Sequence, residues 1–242
     1  MYKLNNGIGV VVCDICGKII STNKDSKDLI DICTDCAKEP PIVDNFDRIG
    51  EIMDFDDENT FYWVQIIKRR KDNPELDDDY TQYGSYCFYS YESLLKAKDD
   101  LIKTSHAHNA RIVLWVNRRD IKELGLHMAQ ITLEYIQSKQ YKALPRTFEH
   151  TCGKHKKKDI DAYYIVDVDS KDSQYLNKIT ELIYKNAPKD FKLRTILPTI
   201  HGYHIICTGF NLSKFGDECV INNIDKPDIH KDNPTVLYFC PK

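Results

Sequence analysis

The chain has 242 residues, of which 42% are hydrophobic and 29% charged, so it can bury a real core and is neither collagenous nor wholly disordered. Its 34 basic and 37 acidic side chains leave a formal net charge of −3, which gives no general electrostatic pull towards nucleic acid or anionic membrane; any such binding must come from a local patch. The N-terminus Met1-Tyr2-Lys3-Leu4-Asn5-Asn6 lacks the apolar segment of a signal peptide, and no stretch approaches the roughly 18 apolar residues of a membrane span. The expectation is a soluble, cytoplasmic protein with no membrane partner.

Cysteines mark the first element. Cys13/Cys16 and Cys33/Cys36 form two C-x-x-C pairs separated by 16 residues, the spacing of a tetrahedral zinc site. Gly17 suits the tight turn after the first pair. Four thiolates close the coordination shell, so the zinc is expected to be structural and to hold a small ribbon over residues 1–40. Glu39-Pro40-Pro41 then breaks the chain, and a second domain is expected over 41–242.

Within that segment, Phe61 to Ile67 is aromatic and β-branched and reads as a strand running into Lys68-Arg69-Arg70-Lys71. The polar run 72–84, with Asp77, Asp78 and Asp79, reads as a loop. Tyr91 to Lys103 has helical spacing through Leu94, Leu95 and Leu101. Ala110 to Val116 is a second strand, and a helix over Ile121 to Lys139 places Leu124, Met128, Ile131 and Tyr135 on one face. His150, Cys152 and His155 suggest a second metal set, but the fourth ligand is missing and the spacing is not standard, so this segment reads as a solvated basic loop. Its run Lys154 to Lys158 could equally guide a template backbone. Cys87, Cys207, Cys219 and Cys240 read as small core residues. A strand over Tyr163 to Asp169, a helix over Gln174 to Tyr184 and short strands at Leu193–Leu197, Tyr203–Cys207, Glu218–Ile221 and Thr235–Phe239 complete an α+β or mixed α/β pattern.

Candidate chemistry lies in the C-terminal third. Asp167 and Asp169 are two apart at the end of an apolar strand, so both carboxylates project from one face, a geometry for holding Mg²⁺ or Mn²⁺ in phosphoryl transfer; Asp at a strand end also serves simply to start a turn. In Gly202-Tyr203-His204 a turn enters a strand, where His204 can face the same pocket or serve as a hydrogen-bonded structural residue. Asp225, Asp228 and Asp232 each offer a third carboxylate before the last apolar strand.

The order of Tyr164-Ile165-Val166-Asp167-Val168-Asp169, Gly202-Tyr203-His204, and Asp228 leading to Leu237-Tyr238 resembles the three motifs of the archaeo-eukaryotic primase superfamily, which includes primase-polymerases. The resemblance spans about Ala110 to the C-terminus. Gly202 stands where serine is commoner, and Pro227 stands before Asp228 where an aliphatic residue is usual, so that Ile224-Asp225 competes for the third motif. The resemblance implies a primase-like catalytic domain with an RRM-like sheet. It implies that Asp167, Asp169 and Asp228 hold two divalent cations and that His204 meets the phosphates of an incoming nucleotide. Arg111, Arg118, Arg119 and Arg194 are the candidate basic residues for that nucleotide, each with a solvated surface role as the alternative. The implied partners are a single-stranded DNA template and nucleoside triphosphates. Because the chain ends at Lys242, soon after the last motif, a helicase or other replication protein is expected to be separate. Two other classes compete: a non-catalytic zinc-containing nucleic-acid-binding or replication adaptor protein, and a metal-dependent nuclease.

Overall fold

A computed structural model of the chain describes residues 2–5, 8–12, 19–21, 42–154 and 162–241. The fold class is α+β, built on antiparallel sheets. The described residues fall into two compact units, one drawn from Met1–Val43 and Tyr164–His230, the other from Asp44–Tyr163 and Lys231–Cys240. The segment 41–242, expected as one domain, thus contains unit boundaries after Tyr163 and after His230.

Strands β1 (Tyr2–Asn5), β2 (Ile8–Val12) and β3 (Ile19–Ser21) form a three-stranded antiparallel sheet in that order. The expected zinc ligands Cys13, Cys16, Cys33 and Cys36, with Gly17, lie outside the described residues, as do His155 and Lys156 to Lys158.

The next elements are β4 (Val43–Asp44), α1 (Phe46–Ile49), β5 (Thr60–Arg69), β6 (Tyr80–Phe88), α2 (Tyr91–His108), β7 (Arg111–Trp115), β8 (Arg119–Asp120), α3 (Ile121–Gln137), a 3₁₀ segment Tyr141–Arg146 and α4 (Thr147–Lys154). After them come β9 (Tyr164–Val168), α5 (Ser173–Lys185), β10 (Leu193–Pro198), β11 (Tyr203–Cys207), α6 (Leu212–Ile221), β12 (Asp228–His230) and β13 (Pro234–Phe239). Two expectations fail here. The loop expected to reach Gly84 gives way at Tyr80 to β6, where the β-favouring Tyr80, Thr81, Tyr83 and Tyr86 outweigh one glycine and a register shift at Ile66/Ile67 absorbs the irregularity. The strand expected at Glu218–Ile221 is the last turn of α6, whose start is capped by Asn211 Oδ1 accepting from the Lys214 amide at 3.0 Å. Phe215 and Cys219, four apart, form its buried stripe, and a short apolar run cannot by itself be told from a strand.

In the larger unit, β4-β13-β7-β5-β6 form the sheet, with β8 added beside β5. Residues alternate between its faces. Tyr62, Val64, Ile66, Ile112 and Leu114 are buried on the side of α2, which contributes Leu94 and Leu101. On the other side Phe61 and Trp63 pack with Leu124 of α3 and Cys152 of α4.

In the smaller unit the order β9-α5-β10-β11-α6-β12 gives a four-stranded antiparallel sheet β10-β11-β9-β12, the ferredoxin-like arrangement. Val166, Val168, Ile205 and Cys207 point to one face and are sealed by Leu176, Ile179 and Ile183 of α5 and Phe215 of α6. Burial pushes the thiols of Cys207 and Cys152 up to about 12, which keeps both as inert neutral packing groups at neutral pH. Peptide mapping after iodoacetamide treatment at pH 8 should find Cys152 and Cys207 unmodified in the native protein and modified in urea; rapid native labelling of either would contradict this packing.

Candidate active site: an acidic cleft on the ferredoxin-like sheet

Because Val166 and Val168 face the helices, Asp167 faces away from them. Strand register then decides its neighbours. Asp167 lies directly opposite His204 of β11 on one side and directly opposite Asp228 of β12 on the other. Directly opposed residues in antiparallel strands share a face, so one cross-strand row collects His204, Asp167 and Asp228 from three separate stretches of sequence. The His204 Nε2 to Asp167 Oδ1 distance is 3.4 Å, with the imidazole mostly shielded from water.

A cleft of about 420 Å³ opens beside this row and is lined by five carboxylates, those of Asp167, Asp169, Asp172, Asp225 and Asp228, against a single lysine, Lys226. Asp228 begins β12 as the register partner of Asp167, while Asp225 reaches the same cleft from the preceding loop. That loop is tied to α5 by the Tyr175 hydroxyl, which donates to the Asp225 carbonyl at 2.5 Å. Asp232, the third of the candidate aspartates, belongs to the other unit and pairs there with Arg119. Among the described residues no three His, Cys, Asp or Glu side chains converge as a ready-made metal cage. The donor chemistry nonetheless suits a hard divalent cation, which takes carboxylate oxygens. Sequence reasoning missed Asp172 and Lys226. The signal for Asp172 was available, since it is the N-cap of α5, accepting from the Gln174 amide at 2.9 Å.

The hairpin before β11 is held against the strand end that carries the aspartates. Gly202 donates its amide to Thr199 Oγ1 at 3.0 Å, and its carbonyl accepts from the Thr199 amide at 2.8 Å. A β-carbon on Gly202 would stand 1.8 Å from the Val168 carbonyl oxygen and 2.6 Å from the Ser170 amide nitrogen, so only glycine fits.

The arginines expected to meet a nucleotide are placed otherwise. Arg111 grips Asp72 with two hydrogen bonds of 2.6 Å and lies over the Phe239 ring at 5.4 Å. Arg119 is fully buried, donating to the Cys152 carbonyl at 2.7 Å, the Asn117 carbonyl at 2.8 Å and Asp232 Oδ2 at 3.1 Å. Arg118 pairs with Asp56. These three hold the larger unit together. Arg194 lies at the bulge of β10. Arg119→Met should cost about 3–5 kcal/mol, because it removes the cation facing Asp232, which keeps only the Asn117 amide as a donor, and takes a donor from each of two carbonyls. Urea denaturation would measure it, and a loss under about 1 kcal/mol would contradict the assignment.

The segment around Cys152, expected as a solvated basic loop rather than a metal set, is α4 as far as Lys154: Cys152 is sealed in the core beside Phe61 and Leu124, while His150 is exposed and His155 lies outside the described residues. No helix among the described residues is long and apolar enough to cross a membrane. Compared with known proteins, the chain matches no family model, no curated protein and no solved structure.

Proposed function

We propose that the chain is a template-dependent nucleotidyltransferase of the primase-like type, which makes or extends a nucleic-acid strand on single-stranded DNA from nucleoside triphosphates. The observation that carries this reading is the cross-strand row of His204, Asp167 and Asp228 beside Asp169. Like charges directly opposite one another on a sheet are destabilising, and the pairing of Asp167 with Asp228 is such a case. A site that keeps this cost is suited to a bound cation. Asp167, Asp169 and Asp228 would hold Mg²⁺ or Mn²⁺, with Asp225 alongside. Bound there, the cation supplies neutralisation of phosphate charge and activation of an attacking 3′-hydroxyl.

The chain's own residues complete the task. Asp167, within 3.4 Å of His204, orients the imidazole so that a ring N–H can donate to a triphosphate oxygen. Lys226 adds a positive charge at the cleft wall for the same polyphosphate. Adjacent β-strands fix the spacing of the row, which favours chemistry needing rigid placement. A four-stranded antiparallel sheet with helices on one face is also the layout expected of an RRM-like catalytic sheet. The four N-terminal cysteines would bind a structural zinc.

Primed and unprimed single-stranded DNA, labelled nucleotides and Mg²⁺ or Mn²⁺ test the proposal. Strand products longer than the primer, or new strands without one, are expected. Shortening of the DNA without any need for nucleotides would replace the reading by a nuclease, and tight DNA binding without chemistry would replace it by an adaptor.

A further inference from the structure

We propose that the larger unit carries a second ligand site, distinct from the acidic cleft, that takes a single nucleobase with adjacent N–H donors, guanine foremost, and holds the attached phosphate on a cationic rim. Among the described residues, helices α3 and α4 cover one end of a sheet face, the end bearing Phe61 and Trp63. Gln65 and Ile67 continue that face beyond the helices, and with Trp115 and Gln82 they border a cleft of about 570 Å³, within the size range of small-molecule sites.

Three features of this cleft ask for different parts of one ligand. Its floor is aromatic: Trp115 stacks on the buried Trp63 with centroids 5.1 Å apart and planes at 17°. Its wall is a one-way hydrogen-bond relay. Trp115 Nε1 donates to Gln65 Oε1 at 2.7 Å, Gln65 Nε2 to Gln82 Oε1 at 2.5 Å, and Gln82 Nε2 to Glu149 Oε1 at 3.2 Å. The relay ends on a carboxylate whose other oxygen, Oε2, is shielded from water and accepts no hydrogen bond from any described residue. Leaving a shielded charged acceptor without a donor is costly, so the site is poised to receive one. Its rim is cationic, with Arg146 and Lys154 flanking Glu149.

A flat ring satisfies the floor, an N–H edge satisfies Glu149 after a small rotation of its half-buried side chain, and a phosphate satisfies the rim. Inorganic phosphate would meet only the last and an aliphatic amine only the second. Guanine places N1–H and N2–H side by side, the arrangement a carboxylate accepts best, whereas uracil offers one N–H between two carbonyls. The inference does not depend on strand synthesis, because the two sites share no residue.

The chain has two tryptophans, Trp63 and Trp115, and both border this cleft, so intrinsic fluorescence reads it directly. The titration uses GMP, UMP and inorganic phosphate without added divalent cation. GMP should quench the emission saturably and bind at least about 10-fold tighter than UMP, with phosphate silent, since losing a charged hydrogen bond costs about that factor. Glu149→Gln should weaken GMP by about 10-fold or more with an unchanged far-ultraviolet circular dichroism spectrum. Arg146→Ala should weaken GMP but not guanosine. Absence of quenching by GMP, equal quenching by phosphate, or unaltered GMP affinity in Glu149→Gln would overturn the site.

Discussion

Gly202→Ala is expected to destabilise the protein by about 3 kcal/mol, the upper end of overpacking losses, and to abolish whatever activity the acidic cleft supports. The three nearest atoms the new methyl would meet are all backbone, led by the Val168 carbonyl oxygen at 1.8 Å and the Ser170 amide nitrogen at 2.6 Å. No flexible side chain can yield. The hairpin cannot drift away either without opening the β11–β9 pairing, in which Tyr203 lies opposite Val168. The strand end it presses upon bears Asp167 and Asp169, so relief of the clash displaces the carboxylates themselves. Serine at this position would meet the same obstacle. A control lies in α3, where nothing stands within 4 Å of a β-carbon at Gly125. Gly125→Ala should be neutral or gain up to about 1 kcal/mol of helix propensity. Urea midpoints measure both, and a loss under about 1 kcal/mol for Gly202→Ala would contradict the close approach.

Asp167→Asn is expected to have the opposite profile, a large loss of function with little loss of stability. Asp167 sits centrally in the row, opposite His204 and Asp228. In the proposed site, making it neutral would weaken cation binding and remove the carboxylate beside His204, so strand synthesis should fall by at least about 10²–10³-fold, the scale on which removing one charge-stabilising group acts. Removing a negative charge from a cleft with five carboxylates also relieves repulsion, which offsets the loss of the 3.4 Å contact with the mostly shielded His204. The urea midpoint should therefore correspond to a change within about 1 kcal/mol. Unfolding of the variant would assign Asp167 a structural role instead.

The residues of this row were legible in the sequence before their contacts were. Period-two alternation in Val166-Asp167-Val168-Asp169 shows that the aspartates oppose the valines, and the core confirms the valines as the buried side. His204 and Asp228 could be singled out by residue type and order, but their placement on either side of Asp167 is a matter of strand register, which depends on pairings across 37 and 61 residues of chain and leaves no local mark. The arginines fail for a related reason. A sequence shows Arg111 and Arg119 as charges, and only the fold shows that Asp72 and Asp232 already engage them. The unit boundaries after Tyr163 and His230 adjoin the polar runs Lys154 to Asp161 and Lys231 to Pro234, which in sequence look like any surface loop, and only the pairing of β13 with β7 shows that the chain returns there to the larger unit's sheet. Likewise the tryptophan cleft is assembled from β5, β6, β7 and α4, and no spacing in the sequence announces it.

The most direct measurement of the central claim is incorporation of labelled nucleotide on single-stranded DNA with Mn²⁺, wild type beside Asp167→Asn at equal folded concentration. The account predicts strand product from the wild type and a loss of at least about 10²-fold in the variant. Equal incorporation by both, or none by the folded, metal-supplied wild type, would contradict it.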